Sequence, residues 1–292
     1  MNRIARSPLR YFGGKWQVAA EIISHFPPHS VYVEPFGGGA SVLLQKPRLS
    51  GKKGIEVYND LDGDVVNFFR VLRERPDDLI RAIYLTPFAK EEYELSQKSM
   101  TDLDDLERAR RFYTRSWQGR GGPTRTWRAG WRRVKVNSIG TGQVAPHRFA
   151  TLDHLWAVVE RLRGVQIEKG NAFEVIQRYD SEKTLFYCDP PYPAATRSNR
   201  WRRNGYLHEL SNDDHRELAA VLHNVQGMVI ISSYPGDLYD ELYGDWRRVC
   251  FSSLNDHSTP VQECIWLSPS ITTKALPLLA FVNWTQEVSK CN

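Results

Sequence analysis

The apolar run Thr184-Leu185-Phe186-Tyr187 leads into Cys188-Asp189-Pro190-Pro191-Tyr192. A short apolar run rich in β-branched and aromatic residues reads as a buried strand. The two prolines stiffen the turn that follows and remove its backbone donors. Such a turn presents one carboxylate (Asp189), the Pro190 carbonyl and the Tyr192 ring toward a common cavity. These groups suit chemistry at an exocyclic amino nitrogen such as that of adenine. That nitrogen is a poor nucleophile because its lone pair is delocalised into the ring, so a catalyst must favour the state in which positive charge develops on it. Asp189 and the Pro190 carbonyl can each accept one of its N–H bonds and stabilise that charge. Tyr192 offers a face for a base extruded from a duplex, a contact worth roughly 1–3 kcal/mol per base. Neither a metal nor a covalent intermediate is required. The competing reading is an Asp-Pro-Pro turn that merely ends a strand, with Tyr192 packed on the surface.

Two further strand ends weigh against that plain reading. Val31-Tyr32-Val33-Glu34 runs into Pro35-Phe36-Gly37-Gly38-Gly39-Ala40-Ser41, a strand followed by a glycine turn and a helix start. Glycine there lets backbone approach a ligand, and in open α/β sheets ligands sit beyond the carboxyl ends of strands. Residues 34–39 therefore lie where a nucleoside-bearing cofactor would. The dinucleotide fingerprint G-x-G-x-x-G is broken, since Val42 takes the third glycine position, which argues against a nicotinamide or flavin enzyme. Residues 55–58 form another strand ending at Asn59-Asp60, where an acidic side chain can accept hydrogen bonds from ribose hydroxyls. The alternative is that Asp60 or Asp62 caps the next helix. Tyr11-Phe12-Gly13-Gly14-Lys15 lacks the upstream glycine of a phosphate loop, and Trp16 replaces its Ser/Thr, so a nucleotide triphosphatase is not expected. Lys15 is left to meet a carboxylate or a phosphate.

Positioning these turns requires a sheet. Strands are expected at 31–33, 55–58, 165–167, 184–187, 228–231 and 264–266, and helices at 16–26, 62–72, 152–162, 172–179 and 211–222, the last capped by Ser211. This alternation predicts an α/β layer architecture. Over 292 residues, 41% hydrophobic and 25% charged, the composition is that of a globular protein. Residues 76–151 break the pattern with polar helical periodicity and then a Gly, Arg and Trp-rich stretch. The expected organisation is a catalytic domain in two parts, 1–75 and 152–292, interrupted by an inserted, mainly helical and hairpin target-recognition subdomain at 76–151.

The net charge is only +5, but it is unevenly spread: from Arg108 to Leu152 there is no Asp or Glu. That stretch holds Arg108, Arg110, Arg111, Arg115, Arg120, Arg125, Arg128, Arg132, Arg133 and Lys135, interleaved with Tyr113, Trp117, Trp127 and Trp131. Basic and aromatic side chains together suit phosphate neutralisation and base wedging, and the DNA ligands are expected among Arg115, Arg120, Arg125, Trp127, Arg128, Arg132, Arg133 and Lys135. The loop after the catalytic turn adds Arg197, Arg200, Arg202 and Arg203 with Trp201, ending at Tyr206, and is expected to close over DNA. Trp156 and Trp246 are assigned to packing. Cys188, Cys250, Cys264 and Cys291 form no metal-ligand spacing and read as reduced thiols. No metal site, signal peptide or apolar membrane span is expected, and the chain reads as cytoplasmic.

In motif order the sequence resembles the Dam-like (D12 class) DNA adenine N6-methyltransferase family. Tyr11-Phe12-Gly13-Gly14-Lys15 resembles its N-terminal cofactor motif, Glu34-Pro35-Phe36-Gly37-Gly38-Gly39 its cofactor loop, Asn59-Asp60-Leu61 its ribose motif and Asp189-Pro190-Pro191-Tyr192 its catalytic motif. Tyr206, the 211–222 helix, Ile230-Ile231-Ser232-Ser233 and Glu263-Cys264-Ile265-Trp266-Leu267 follow the downstream pattern. The resemblance implies a Rossmann-like seven-stranded sheet, S-adenosyl-L-methionine as cofactor, and methylation of a flipped adenine at specific sites in double-stranded DNA. It implies cofactor contacts from Tyr11, Lys15, residues 34–39, Asp60, Asn171, Ala172 and Asp189, with Asn171 and Ser233 standing where the family usually carries Asp and Asn. A cognate restriction endonuclease is a candidate partner, and a monomer or homodimer the expected assembly. Methylation of the cytosine amino group, an RNA substrate, and a DNA-binding protein of this fold that has lost catalysis stay open as alternatives.

Overall fold

The computed structural model describes residues 4–49, 54–121, 123, 130–134, 145–197, 206–254 and 260–271. Its centre is a sheet of seven strands: β1 (Val31–Glu34), β2 (Ile55–Asp60), β3 (Val165–Lys169), β4 (Thr184–Cys188), β5 (Met228–Ser233), β6 (Arg247–Leu254) and β7 (Pro260–Leu267). They lie in the order β3-β2-β1-β4-β5-β7-β6. The first five in that row run parallel, whereas β7 is antiparallel to both β5 and β6. Every residue of β4 and β5 is buried, which is why these strands read as continuous apolar runs rather than alternating ones.

Helices cover both faces. On one side α1 (Ala19–Ser24), α2 (Ser41–Gln45), α3 (Gly63–Glu74), α6 (Asp105–Gln118) and α8 (His154–Leu162) contribute to a cluster that includes Ile22, Leu43, Phe68, Tyr113 and Leu155 with Tyr32 and Leu185 of the sheet. On the other, α9 (Ala172–Arg178), α10 (Asn212–Asn224) and α11 (Asp237–Leu242) pack Ile176, Leu218 and Tyr239 against Val33, Phe186 and Trp266. The strand order reverses between β1 and β4, and a crevice opens outside their carboxyl ends.

Helices α4 (Pro76–Tyr84), α5 (Lys90–Ser96), α6 and α7 (Ala145–Ala150) occupy the segment expected as an insertion. Its helical part shares the sheet's own core: Tyr113 stacks on Phe68 of α3 with ring centroids 6.1 Å apart. After α6, Gly119 bridges antiparallel to Trp131. The polar edge strand β6 (Arg247-Arg248-Val249-Cys250-Phe251-Ser252-Ser253-Leu254) has no counterpart among the expected strands, because its arginines and serines suit a solvated edge and lack a strand's apolar pattern.

The reading of all cysteines as reduced is corrected: Cys250 and Cys264 face each other across β6 and β7, Cα atoms 4.1 Å apart, and form a disulfide. Residues fourteen apart in sequence become directly opposed only through strand register. Cys188 is free and buried, and Cys291 lies outside the described residues. Trp246 packs as expected, whereas Trp156 is 43% exposed and does not. Among the described residues no helix is long and apolar enough to cross a membrane.

Candidate active site

The floor of the crevice is a set of backbone turns locked by side chains of β2. Asn59, fully buried, donates from Nδ2 to the Pro35 carbonyl at 2.8 Å and the Gly170 carbonyl at 3.0 Å, joining the loops after β1 and β3. The Tyr58 hydroxyl donates to the Gly38 carbonyl at 2.7 Å. A Cβ on Gly37 would fall 2.3 Å from the Tyr58 ring and 2.9 Å from the Asn59 carbonyl oxygen, so only glycine fits. Gly38 holds φ +47°, in the left-handed region that favours glycine.

Asp60 accepts the Gly38 amide on Oδ2 and the Asp62 amide on Oδ1, both at 2.8 Å. The helix-capping role belongs to Asp62, which accepts from the Asp64 amide and opens α3. Burial lifts the Asp60 carboxyl to about 6 against the opposing pull of those amides. Glu34, 2% exposed, accepts a 2.6 Å hydrogen bond from the Tyr32 hydroxyl. Burial pushes its carboxyl up to about 8 despite that bond. Asn171 caps α9 by accepting the Phe173 amide at 2.8 Å.

Above this floor is a cavity of about 300 Å³. Its wall includes Tyr11, Lys15, Glu34, Pro35, Phe36, Gly37, Gly38, Gly39, Asp60, Asn171, Ala172 and Asp189, so the structure brings together every residue expected to meet a cofactor. Pro190 and Tyr192, expected to act with Asp189, are buried and do not line it. Tyr192 is thus not the open stacking platform anticipated, nor is it packed on the surface. Lys15 Nζ lies 4.6 Å from its ring centroid, Tyr234 packs edge-on at 4.9 Å, and its hydroxyl donates to Glu263 at 2.8 Å.

Lys15 meets a carboxylate. Its Nζ is 3.0 Å from Asp189 Oδ1 and donates to the Gly13 carbonyl at 2.6 Å. Burial raises the Asp189 carboxyl, and so does the nearby Glu263 charge; Lys15 opposes both, leaving it at about 6. Burial alone would lower the Lys15 ammonium, but Asp189 and Glu263 keep it well above its ordinary range. Sequence reasoning assigned no role to Glu263, although an acid beside Cys264-Ile265-Trp266 in an otherwise apolar strand end was a usable signal.

The segment after the catalytic turn corrects the reading of Arg197 as a DNA contact. Arg197 is 7% exposed, forks onto both Glu209 oxygens at 2.8 and 2.7 Å and donates to the Tyr192 carbonyl. Glu209 also accepts the Tyr206 amide at 2.7 Å. Tyr206 accordingly belongs to the cavity wall and not to an outward DNA face. A Cβ on Gly13, at φ +72°, would come 2.4 Å from its hydroxyl oxygen. Leu207 and His208 complete that wall without any sequence signal.

The arginine-rich segment divides. Arg108 pairs with Asp64 at 2.9 Å, Arg110 with Glu92 and Glu107 at 2.8 and 2.7 Å, and Arg111 with Glu107 at 2.7 Å. Arg115, expected at DNA, instead lies 3.6 Å from Asp64 and donates to Met100 Sδ, with its side chain 21% exposed. Tyr113 and Trp117 are core residues, the indole of Trp117 donating to the Pro8 carbonyl at 2.9 Å. Arg120 and Arg133 are exposed. Burial, with Arg10 and Arg148 nearby, pushes the half-buried Arg132 down to about 10. Arg125, Trp127, Arg128, Lys135, Arg200 and Arg202 lie outside the described residues.

Among the described residues no cluster of His, Cys, Asp or Glu could hold a metal ion. Comparison with known proteins points the same way as the geometry. The chain is 24% identical over 248 residues to the DNA N-6-adenine-methyltransferase of Escherichia phage P1, across 82% of this chain and 31% of that protein. It therefore spans about a third of the phage protein's length. It is 22% identical over 259 residues to the type II methyltransferase M.MjaIII of Methanocaldococcus jannaschii, across 80% of this chain and 86% of that one. With the DNA adenine methylase of Serratia marcescens it shares 23% over 253 residues, 82% of this chain and 87% of the relative. The family model for D12 class N6 adenine-specific DNA methyltransferase matches residues 11–255, nearly the whole described chain, and the chain belongs to that family.

Proposed function

We propose that the protein transfers a methyl group from S-adenosyl-L-methionine to the exocyclic amino nitrogen of an adenine extruded from double-stranded DNA, at specific sites. The observation that carries this reading is Asp189 on the same 300 Å³ cavity as the glycine turn and Asp60. That cavity fits the donor: a glycine floor that a Cβ would fill, a strand-end carboxylate for ribose hydroxyls, and the Phe36 ring and the Asn171 and Ala172 loop for a purine. When bound, S-adenosyl-L-methionine supplies a methyl group on a positively charged sulfur. Lys15 holds Asp189 Oδ1, and the Asp189 carboxylate, on the cavity wall, accepts one amino N–H of the target base. Positive charge developing on the nitrogen is thereby stabilised before the proton leaves.

Arg120, Arg132 and Arg133 flank the Gly119–Trp131 bridge and are the described candidates for phosphate contact, within a target-recognition segment at 76–151. A cytoplasmic setting, a cognate restriction endonuclease as partner and a monomer or homodimer complete the proposal. The test is to incubate the protein with S-adenosyl-L-methionine and unmethylated genomic DNA, digest to nucleosides and quantify methylated species by mass spectrometry. N6-methyladenine is the expected product. Methylcytosine, or no methylated base despite DNA and cofactor binding, would overturn the assignment.

A further inference from the structure

Four guanidiniums gather where the N-terminal segment meets the base of the arginine-rich segment and α7. Arg10 donates from Nη1 to the Gly119 carbonyl at 3.0 Å. Gly119 bridges to Trp131, and the next amide, that of Arg132, donates to the Gln118 carbonyl at 2.7 Å. Trp131 packs on Phe88 and Phe88 on Phe149, with ring centroids 5.7 and 5.9 Å apart, which brings Arg148 of α7 to the same place. Arg6 closes the group from behind, donating to His154 at 3.3 Å and to the Thr151 carbonyl. Carboxylates do not interleave with these charges: from Arg108 to Leu152 the chain has no Asp or Glu. Among the described residues Arg6, Arg132 and Arg148 form no ion pair, and Arg6 Nη1 and Arg132 Nη1 are buried without a hydrogen-bond partner. Burial, then the like charges of Arg10 and Arg148, push the Arg132 guanidinium down to about 10. Arg148 acts in the same sense on Arg6, after burial. Like charges held together in this way repel one another until an anion arrives.

We propose that Arg10, Arg132 and Arg148 form a site for one backbone phosphate of duplex DNA, with the Arg6 charge behind them. The inference rests on the DNA-binding part of the proposed function and adds two ligands, Arg10 and Arg148, from outside the run of arginines that flanks the Gly119–Trp131 bridge. A phosphodiester carries one negative charge and two acceptor oxygens, which planar guanidinium forks match. Arg148 is exposed and Arg10 and Arg132 are half-buried, so the group opens to solvent on the α7 side. Arg10 is followed directly by Tyr11 of the cavity wall, so a duplex held here is held close to the cavity. Neutralising Arg148 has opposite consequences in the two states. In the free protein it relieves repulsion; in the complex it removes attraction. An arginine that merely supported the fold would not weaken DNA binding while sparing stability.

The experiment measures affinity for duplex DNA by fluorescence anisotropy across a series of potassium chloride concentrations, beside thermal unfolding without DNA. Arg148→Gln is expected to weaken binding about 3- to 10-fold at low salt and to unfold at or above the wild-type temperature, whereas Arg148→Lys, which keeps the charge, retains most of the affinity. Arg148→Gln combined with Arg132→Gln is expected to reduce the slope of log affinity against log salt by about 1, the value for a single shared phosphate. Wild-type affinity in Arg148→Gln, an unfolding temperature clearly below wild type, or a slope that falls by about 2 in the double variant would each overturn the proposal. Inorganic phosphate, compared with chloride at equal ionic strength, separates the two sources of the anion. Thermal stabilisation by phosphate that the double variant loses while its DNA binding is unchanged would mark a site for a free anion and overturn the assignment to DNA. Should the double variant fail to fold, Arg148→Gln, on the exposed side of α7, decides alone. A wild-type chain that binds duplex DNA but methylates no adenine would strike the proposed reaction and leave this site standing; one that binds no duplex DNA would overturn both.

Discussion

The carboxyl ends of β1, β2 and β4 and the arginine-rich helix α6 were equally conspicuous as sequence, yet they behave differently in the fold. At the strand ends, residue types predict placement: Glu34 to Gly39, Asp60 and Asp189 converge on one cavity. Along α6, arginines that look like a binding surface are spent on intramolecular partners, Asp64 of α3, Glu92 of α5 and Glu107 of α6 itself. A glycine turn or a proline-stiffened turn acts through its own backbone, so its geometry is local. A guanidinium acts through whichever carboxylate or phosphate it meets, and that partner is supplied by remote chain.

The largest effect is expected at Asp189. Asp189→Ala should lower turnover by roughly two to three orders of magnitude, as for other preorganised transition-state contacts, while leaving DNA binding largely intact; single-turnover kinetics beside a mobility-shift titration decides it, and near-normal turnover would remove Asp189 from the chemistry. The ionisation of the same carboxyl gives the next prediction. Its ionised form is the hydrogen-bond acceptor, so kcat/KM should fall about tenfold per pH unit as pH drops below about 6 and level off above it. A profile flat through pH 5 would contradict an Asp189 raised by burial.

Gly37→Ala probes the floor without touching a charge. The added Cβ meets ring and backbone atoms that cannot yield, so a loss of about 1–3 kcal/mol in stability is expected together with weakened cofactor binding; thermal unfolding with and without S-adenosyl-L-methionine reads both. On the arginine side, Arg110→Ala should cost about 1–2 kcal/mol in denaturant unfolding, because it removes the arginine partner of Glu92 and one of the two arginine partners of Glu107, and should leave the salt dependence of DNA binding unchanged. Arg120→Gln with Arg133→Gln should do the reverse, sparing stability while reducing the slope of log affinity against log salt by about 2. If Arg110→Ala changed the slope and the outer pair did not, the division drawn within the segment would fail.

Ser211 is legible for the same local reason as the strand-end turns: its hydroxyl accepts the Asp214 amide while Asp214 reaches back to the Ser211 amide, a complete capping box written within four consecutive residues. Arg197 shows the converse. Next to Trp201 and further arginines it read as a DNA contact, and only its fork onto Glu209 reveals a strut between the catalytic turn and the cavity wall. Tyr192 was legible as a member of the catalytic turn, but not its enclosure by Lys15, Tyr234 and Glu263, which come from the N-terminal turn, the end of β5 and β7.

Periodicity, proline and glycine constrain the backbone within a few residues, and so the α/β alternation, the apolar central strands and the three strand-end turns are legible along the chain. Which arginines face outward, the meeting of Cys250 with Cys264 and the hydrogen bond of Tyr192 to Glu263 emerge with the packed fold. Those outcomes depend on strand register and helix docking, which bring Glu263 to the Tyr192 hydroxyl 71 residues away in sequence, and the energy of a charge or thiol is set by the neighbour it acquires there.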